Sequence, residues 1–78
     1  MAEYHVMWAS SKEAREEDEH DAERKFRRLP SAQKFARDLV EKGRASQQQL
    51  EIYEVDGDET LGVYWLHGRG LRYMELDG

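Results

Sequence analysis

The sequence predicts an α+β fold in which a single amphipathic helix packs on a small antiparallel sheet, in the order β-β-α-β-β-β. Two observations predict it. Apolar residues recur with helical spacing between residues 32 and 42, and short runs near both ends of the chain alternate with the period of two that is typical of strands. The 78 residues fit one domain, residues 1–78, which at this size buries only about 60% of the surface of its unfolded chain.

The first strand is predicted in "EYHVMWA". Tyr4, Val6 and Trp8 alternate there with His5 and Met7, as in a strand with one buried face. On this pattern, we expect His5 to lie at the surface.

The predicted helix follows Pro30. Ser31 is expected to cap a helix over residues 32–42, and Gly43 is expected to end it. The apolar positions that form its buried stripe are Ala32, Phe35, Ala36, Leu39 and Val40.

Three further strands are predicted after the helix, in "QQLEIYEV", "TLGVYWLH" and "GLRYMEL". The breaks between them contain Gly57 and Gly68, which can adopt the positive φ of tight hairpin turns. The C-terminal part is therefore predicted to be an antiparallel meander.

The segment from Ser10 to Leu29 permits two interpretations. Its Glu, Ala, Arg and Lys content favours a helix over residues 11–29, with Ala22, Phe26 and Leu29 at helical spacing. In the alternative, "ERKFRRL" is a second strand that follows an exposed acidic loop, "SKEAREEDEHDA".

Charge divides the chain into three parts. The net charge is −6 over residues 1–23, +6 over residues 24–44 and −5 over residues 45–78, in a chain of net charge −5. An acidic total argues against sequence-independent binding of nucleic acid, but a local basic face can still contact an anion. The candidate binding residues of the basic centre are Arg24, Lys25, Arg27, Arg28, Lys34 and Arg37.

The sequence contains no recognisable catalytic or metal-binding motif. It has no Cys, its serines lie where capping explains them, and no phosphate-binding glycine pattern occurs. Asp18, His20 and Asp21 are close in sequence, but a specific cation site also needs fixed geometry. We therefore predict a protein that is not an enzyme, with no catalytic residues, no metal site and no cofactor.

The apolar runs are far shorter than the roughly 20 residues that span a bilayer, and the N-terminus does not resemble a signal peptide. The absence of Cys fits a reducing compartment. We expect a soluble, unprocessed, cytoplasmic protein without membrane contact.

The order of an aromatic strand, a charged loop and "KFRRLPSAQKFARDL" resembles the arm-type N-terminal domains of phage integrases, over about 40 residues. The resemblance implies a short sheet packed against one helix, and it favours the strand over the helix in "ERKFRRL". It also implies contact of the sheet with DNA, although integrase arm domains are basic and this chain is acidic. The residues that carry the resemblance are Trp8, Phe26, Ser31, Ala32, Phe35, Ala36 and Leu39.

By type rather than by motif, a small acidic Cys-free chain also resembles phage or mobile-element inhibitors of host defence complexes, such as anti-CRISPR proteins. That resemblance implies a protein partner that handles nucleic acid. Strand alternation places Tyr64 and Trp65 on opposite faces, so at least one of them is a candidate for partner contact.

Three hypotheses follow: binding by protein–protein contact, binding of nucleic acid through the basic centre, and a homo-oligomer that pairs through an exposed sheet edge.

Overall fold

The computed structural model describes residues 1–76. Its strands are β1 (Glu3–Trp8), β2 (Ala22–Phe26), β3 (Glu51–Asp56), β4 (Glu59–His67) and β5 (Gly70–Glu75). Its helices are α1 (Lys12–Glu17) and α2 (Leu29–Glu41), and a 3-10 turn spans Gln47–Gln49. The strands form one antiparallel sheet in the order β2-β1-β3-β4-β5, and α2 is the main helix. The α+β class, with one main helix on an antiparallel sheet, is confirmed.

The ambiguous segment contains both a strand and a short helix. β2 pairs with β1 from Tyr4 opposite Phe26 to Trp8 opposite Ala22, so the strand interpretation is confirmed and the continuous helix over 11–29 is wrong. The predicted acidic loop is also partly wrong, because α1 forms within it. The Ser11 hydroxyl accepts a hydrogen bond from the Ala14 amide at 3.0 Å, which caps this helix.

The helix α2 begins earlier than predicted. Arg28 occupies the N-cap position without a side-chain hydrogen bond, and Ser31 lies inside the first turn, so the predicted Ser31 cap is wrong. Pro30 explains the shift. Its fixed φ suits the first helical turn, where the amide hydrogen that it lacks would have no partner within the helix.

The end of α2 agrees closely with the prediction. Gly43 has a φ of 70°, and its amide donates to the Val40 carbonyl at 3.1 Å. The Arg44 amide donates to the Leu39 carbonyl at 2.9 Å. This pair of bonds is a Schellman motif, which pairs the last carbonyls of the helix and requires a left-handed residue at Gly43.

The core lies between α2 and one face of the sheet. Val6, Leu50 and Ile52 have the largest fully buried side chains, and α2 contributes two completely buried alanines, Ala32 and Ala36. Alanine at these positions lets the helix backbone approach the strands closely. Larger side chains pack around this centre, namely Tyr4, Trp8, Phe26, Leu29, Phe35, Val40, Tyr64 and Leu71.

The C-terminal meander forms as predicted, with β3 paired to β4 and β4 paired to β5. Gly57 and Gly68 have φ values of 62° and 56° in the two turns. The register shifts between Glu54 and Val55, which adds one residue to β4 at Leu61. Strands β2 and β5 form the two edges of the sheet.

Candidate functional site

The sheet face opposite α2, hereafter the open face, carries a band of apolar and aromatic side chains. Ile52 faces the core, so its neighbours in β3, Glu51 and Tyr53, project to the open face. One cross-strand row of this face runs His5, Tyr53, Val63 and Met74, and the next contains Met7, Trp65 and Arg72. Val63 is only 3% exposed, whereas Met74 is 49% exposed.

A single carboxylate fixes the aromatic side chains of the open face. Tyr53 Oη donates to Glu51 Oε1 at 3.0 Å, and Trp65 Nε1 donates to Glu51 Oε2 at 3.1 Å. His20, in the segment after α1, places Nε2 at 3.5 Å from Glu51 Oε1 and 3.1 Å from the Gln49 carbonyl oxygen. Both aromatic rings are therefore held in place, with their polar atoms occupied within the chain.

The surroundings of Tyr53 change the pKa of its hydroxyl group. Burial, the hydrogen bond to Glu51 and the negative charge of Glu51 raise the pKa of Tyr53 to about 12. At neutral pH the Tyr53 hydroxyl is protonated and donates to the carboxylate. Tyr53 and Glu51 therefore form a fixed pair on the open face.

His5 lies in the middle of the open face and differs from its prediction. It is half-buried rather than exposed, and its Nε2 atom is buried without a hydrogen-bond partner among residues 1–76. The neighbouring residues opposite it are Tyr53 on β3 and Lys25 on β2. Large side chains on both sides of β1 account for the burial that alternation alone did not predict.

The predicted separation of Tyr64 and Trp65 is confirmed. Tyr64 lies on the α2 side of the sheet, where its ring centroid is 4.5 Å from that of Tyr73. Tyr73 Oη donates to Glu54 Oε1 at 3.0 Å. Partial desolvation and then this bond raise the pKa of Tyr73 to about 12. Trp65 alone of the predicted aromatic pair belongs to the open face.

The structure divides the predicted basic residues among different surfaces. Arg24 lies on the α2 side, with its guanidinium 5.3 Å from the centroid of Phe26 and 5.0 Å from that of Phe35. Lys25 projects to the open face. Arg37 is half-buried and donates from Nη2 to the Gly70 carbonyl at 2.8 Å, so it fastens α2 to the β4–β5 turn.

The remaining basic candidates are exposed. Arg27 and Arg28 connect β2 to α2, and Lys34 lies on the outer side of α2. With Arg24, which lies against Phe26 and Phe35, these three exposed residues are hereafter called the basic corner.

The acidic segment around α1 is exposed, and hydrogen bonds join it to neighbouring parts of the chain. The Ser10 amide donates to Asp21 Oδ1 at 2.6 Å, and this bond lowers the pKa of Asp21. Gln49 Nε2 donates to the Arg15 carbonyl at 2.7 Å, which ties α1 to the 3-10 turn. The carboxylates that this arrangement presents to solvent are Glu13, Glu16, Glu17, Asp18, Glu19 and Asp21.

Within residues 1–76, no group of three or more His, Cys, Asp or Glu side chains is placed to hold a metal ion. The same residues contain no helix that is long and apolar enough to cross a membrane. Comparison of the chain with protein-family models, with curated proteins and with solved structures finds no match.

Sequence reasoning missed most of the open face. Glu51, Tyr53 and Val55 are spaced by two in "LEIYEV", and Val63 and Trp65 are spaced by two in "GVYWL". This parity could have placed them together once Ile52 was assigned to the core. The bond that joins Glu51 to Trp65 depends on the register between β3 and β4, which the sequence alone does not specify.

Proposed function

We propose that this chain is a small non-enzymatic protein that binds another macromolecule by protein–protein contact through its open face. The observation that carries the proposal is the pair of rings, Tyr53 and Trp65, which Glu51 fixes on the sheet face opposite α2. Rigid aromatic residues are the side chains that most often dominate protein interfaces. They lose little conformational entropy on binding when they are already held in place.

The charge distribution supports a partner with a basic surface. The exposed carboxylates around α1 continue to the open face, where His20 meets Glu51. An acidic border beside an aromatic face complements a basic surface, such as the nucleic-acid channel of a host complex, and raises the association rate. An inhibitor of a host defence complex, the class that the chain resembles by type, would use this combination. The basic corner would then contribute to orientation.

The test compares variants of the open face with a matched control. A partner is captured from lysate of the host by the immobilised chain, purified, and titrated directly. Met7→Lys and Trp65→Lys should each weaken its binding at least about tenfold, because the first places a cation directly opposite Glu51, whose carboxylate holds both rings, and the second removes one of the rings. Ser31→Lys adds the same charge to the outer side of α2 and should leave the affinity unchanged.

Circular dichroism establishes that each variant is folded before its affinity is compared. Equal affinity of the two folded open-face variants and the control would contradict the proposal.

A second candidate function is nucleic-acid binding through the basic corner. The observation that favours it is Arg24, whose exposed guanidinium is held against the rings of Phe26 and Phe35. A positioned guanidinium is a good phosphate ligand. Arg24 lies on the opposite side of the sheet from Met7 and Trp65, so the same variants separate the two functions.

A further inference from the structure

The two edges of the sheet are protected differently. On β2, Glu23, Arg24 and Lys25 are consecutive and exposed, and charged side chains of this kind discourage pairing with another strand. On β5, Tyr73 is 44% exposed and Met74 is 49% exposed. With Met1, they are the large hydrophobic residues that the described chain leaves exposed. The β5 edge also carries two exposed charged residues, Arg72 and Glu75, but the exposed Tyr73 and Met74 separate them, so this edge is less protected than β2.

The backbone of β5 offers hydrogen-bonding groups at this edge. The Leu76 amide donates to the Leu61 carbonyl at 2.9 Å and so points toward β4. Because direction alternates along an antiparallel strand, the amides and carbonyls of Leu71, Tyr73 and Glu75 point away from β4. Within residues 1–76, β5 is the last strand on this side of the sheet, so these groups face outward.

The large side chain in the middle of the edge does not block it. The Tyr73 ring leans inward over Gly62, where an added Cβ would collide with the ring. Its hydroxyl is held by Glu54 and its ring packs on Tyr64. The outer backbone of Tyr73 is thus left open to another strand.

We propose that the free edge of β5 pairs with the β5 edge of a second copy of this chain, in an antiparallel two-fold dimer centred on Tyr73. This inference does not rest on the proposed function. In this register Tyr73 pairs with the same residue of the second copy, and Leu71 pairs with Glu75 in both directions. All outward-facing backbone groups of β5 are then used.

The side chains of β5 favour this register over the one centred on Arg72. Residues that lie directly opposite each other in an antiparallel pair project to the same face of the sheet. A shifted register must keep this match, because a slip of one residue would place every side chain on the other face. A dimer centred on Arg72 would place two like charges directly opposite each other, which is destabilising. Centring on Tyr73 instead places Arg72 opposite Met74 of the second copy, which avoids this repulsion.

Disulfide trapping tests the register, because the chain contains no Cys. Tyr73→Cys should form a disulfide-linked dimer under mild oxidation, since Cα atoms of a hydrogen-bonded antiparallel pair lie about 5.5 Å apart, within disulfide range. Met74→Cys is the matched control. Its two copies would be offset by two residues along the strands, beyond disulfide range, and should cross-link at least about tenfold more slowly.

Sedimentation equilibrium tests the dimer without cysteine. The wild-type chain should approach twice the monomer mass as concentration rises. Glu75→Pro removes an outward amide without touching the pairing to β4, and Met74→Lys adds a charge to the edge. Each should weaken dimerisation at least about tenfold, because paired backbone groups are lost or a charge is buried, whereas Ser31→Lys should not.

A wild-type chain that stays monomeric to about 1 mM, a range that covers weak association, would overturn the proposal. So would a dimer that both β5 variants leave intact, or preferential cross-linking through Met74→Cys. Loss of partner binding in Glu75→Pro of a monomeric chain would assign the edge to a partner's strand instead, whereas Met74→Lys also changes the open face and does not bear on this point. Failure of the open-face proposal would leave all of these measurements unchanged, so the two proposals fail separately.

Discussion

Gly62 shows how one missing side chain can determine the arrangement of several others. A Cβ at this position would collide with the Tyr73 ring, which is held by Glu54 and Tyr64. Aromatic cover of a strand glycine from the neighbouring strand is a known stabilising arrangement in sheets.

We expect Gly62→Ala to lower the free energy of unfolding by about 1–3 kcal/mol, because it displaces the Tyr73 ring. Gly70→Ala is the matched control, since a Cβ there meets nothing nearer than the His67 carbonyl oxygen at 4.0 Å. It should leave stability unchanged or raise it by up to about 1 kcal/mol. Urea denaturation measures both, and equal effects of the two substitutions would contradict this account.

In the part of the chain that the structure describes, the buried Nε2 atom of His5 has no hydrogen-bond partner, and its removal should stabilise the protein. An unpaired buried polar atom costs about 1–3 kcal/mol, so His5→Leu is expected to raise the free energy of unfolding by about 1 kcal/mol at neutral pH. His67→Leu is the control, because His67 is exposed at the end of β4 and its substitution should change stability by less than about 0.5 kcal/mol. A loss of stability in His5→Leu, measured by urea denaturation, would mean that the imidazole has a favourable role.

Tyr53 makes the stability of the protein depend on pH in the alkaline range. Because its folded-state pKa of about 12 exceeds the ordinary value of 10.0, the stabilisation is complete below pH 10 and is lost as the pH rises to about 12. Glu51→Gln should lower the pKa of Tyr53 by removing the adjacent negative charge. Spectrophotometric titration should show one fewer late-ionising tyrosine in Glu51→Gln, as in Tyr53→Phe. An unchanged titration of Glu51→Gln would refute the role of the carboxylate.

At the scale of elements, α2 owes its position to a narrow stripe of side chains. Leu39 belongs to the core, whereas Lys34 is exposed on the same helix. Leu39→Ala is expected to lower the free energy of unfolding by about 2–5 kcal/mol, because it leaves a cavity in a small core. Lys34→Ala should change it by less than about 0.5 kcal/mol. A loss below about 1 kcal/mol for Leu39→Ala, measured by urea denaturation, would mean that the helix packs differently.

Periodicity predicted the elements whose burial repeats regularly. Val6 in β1, Ala36 in α2 and the turn at Gly57 could all be placed from the sequence, because the spacing of apolar residues and the need for positive φ are local properties. Helix boundaries were harder to predict, because several local signals compete there. Pro30 determined where α2 starts, although Ser31 offered a capping hydroxyl.

A separate short helix that ends at Glu17 was not predicted, for a related reason. At six residues it is too short to be stable alone, and its position depends on contacts that are distant in sequence. The bond from Gln49 to the Arg15 carbonyl and that from Arg15 to the Arg44 carbonyl are examples. The open face was missed similarly, since the joint contact of Tyr53 and Trp65 with Glu51 follows from register across β3 and β4.

At the scale of the whole molecule, the basic residues that are close in the sequence lie on different surfaces of the folded protein. Arg37 is used internally at Gly70 and Lys25 lies on the open face, so the basic corner retains Arg24, Arg27, Arg28 and Lys34. Folding also ties the acidic segment to the end of the sheet, where His20 meets Glu51. The field around the protein is therefore mixed, and a net charge of −5 repels polyanions over long distances at low salt.

The response of nucleic-acid binding to salt separates the two candidate functions. If the basic corner contacts four phosphates, affinity for generic DNA or RNA should fall about 10²-fold between 50 and 200 mM salt. Arg27→Glu with Arg28→Glu should then abolish binding, whereas Lys42→Glu with Arg44→Glu, the same charge change at the other end of α2, should weaken it less. Protein–protein contact through the open face predicts instead no appreciable binding of naked nucleic acid at about 50 mM salt, where repulsion is only partly screened. Fluorescence anisotropy with labelled oligonucleotides measures this, and salt-sensitive binding lost in the Arg27 and Arg28 variant would favour the basic corner over the open face.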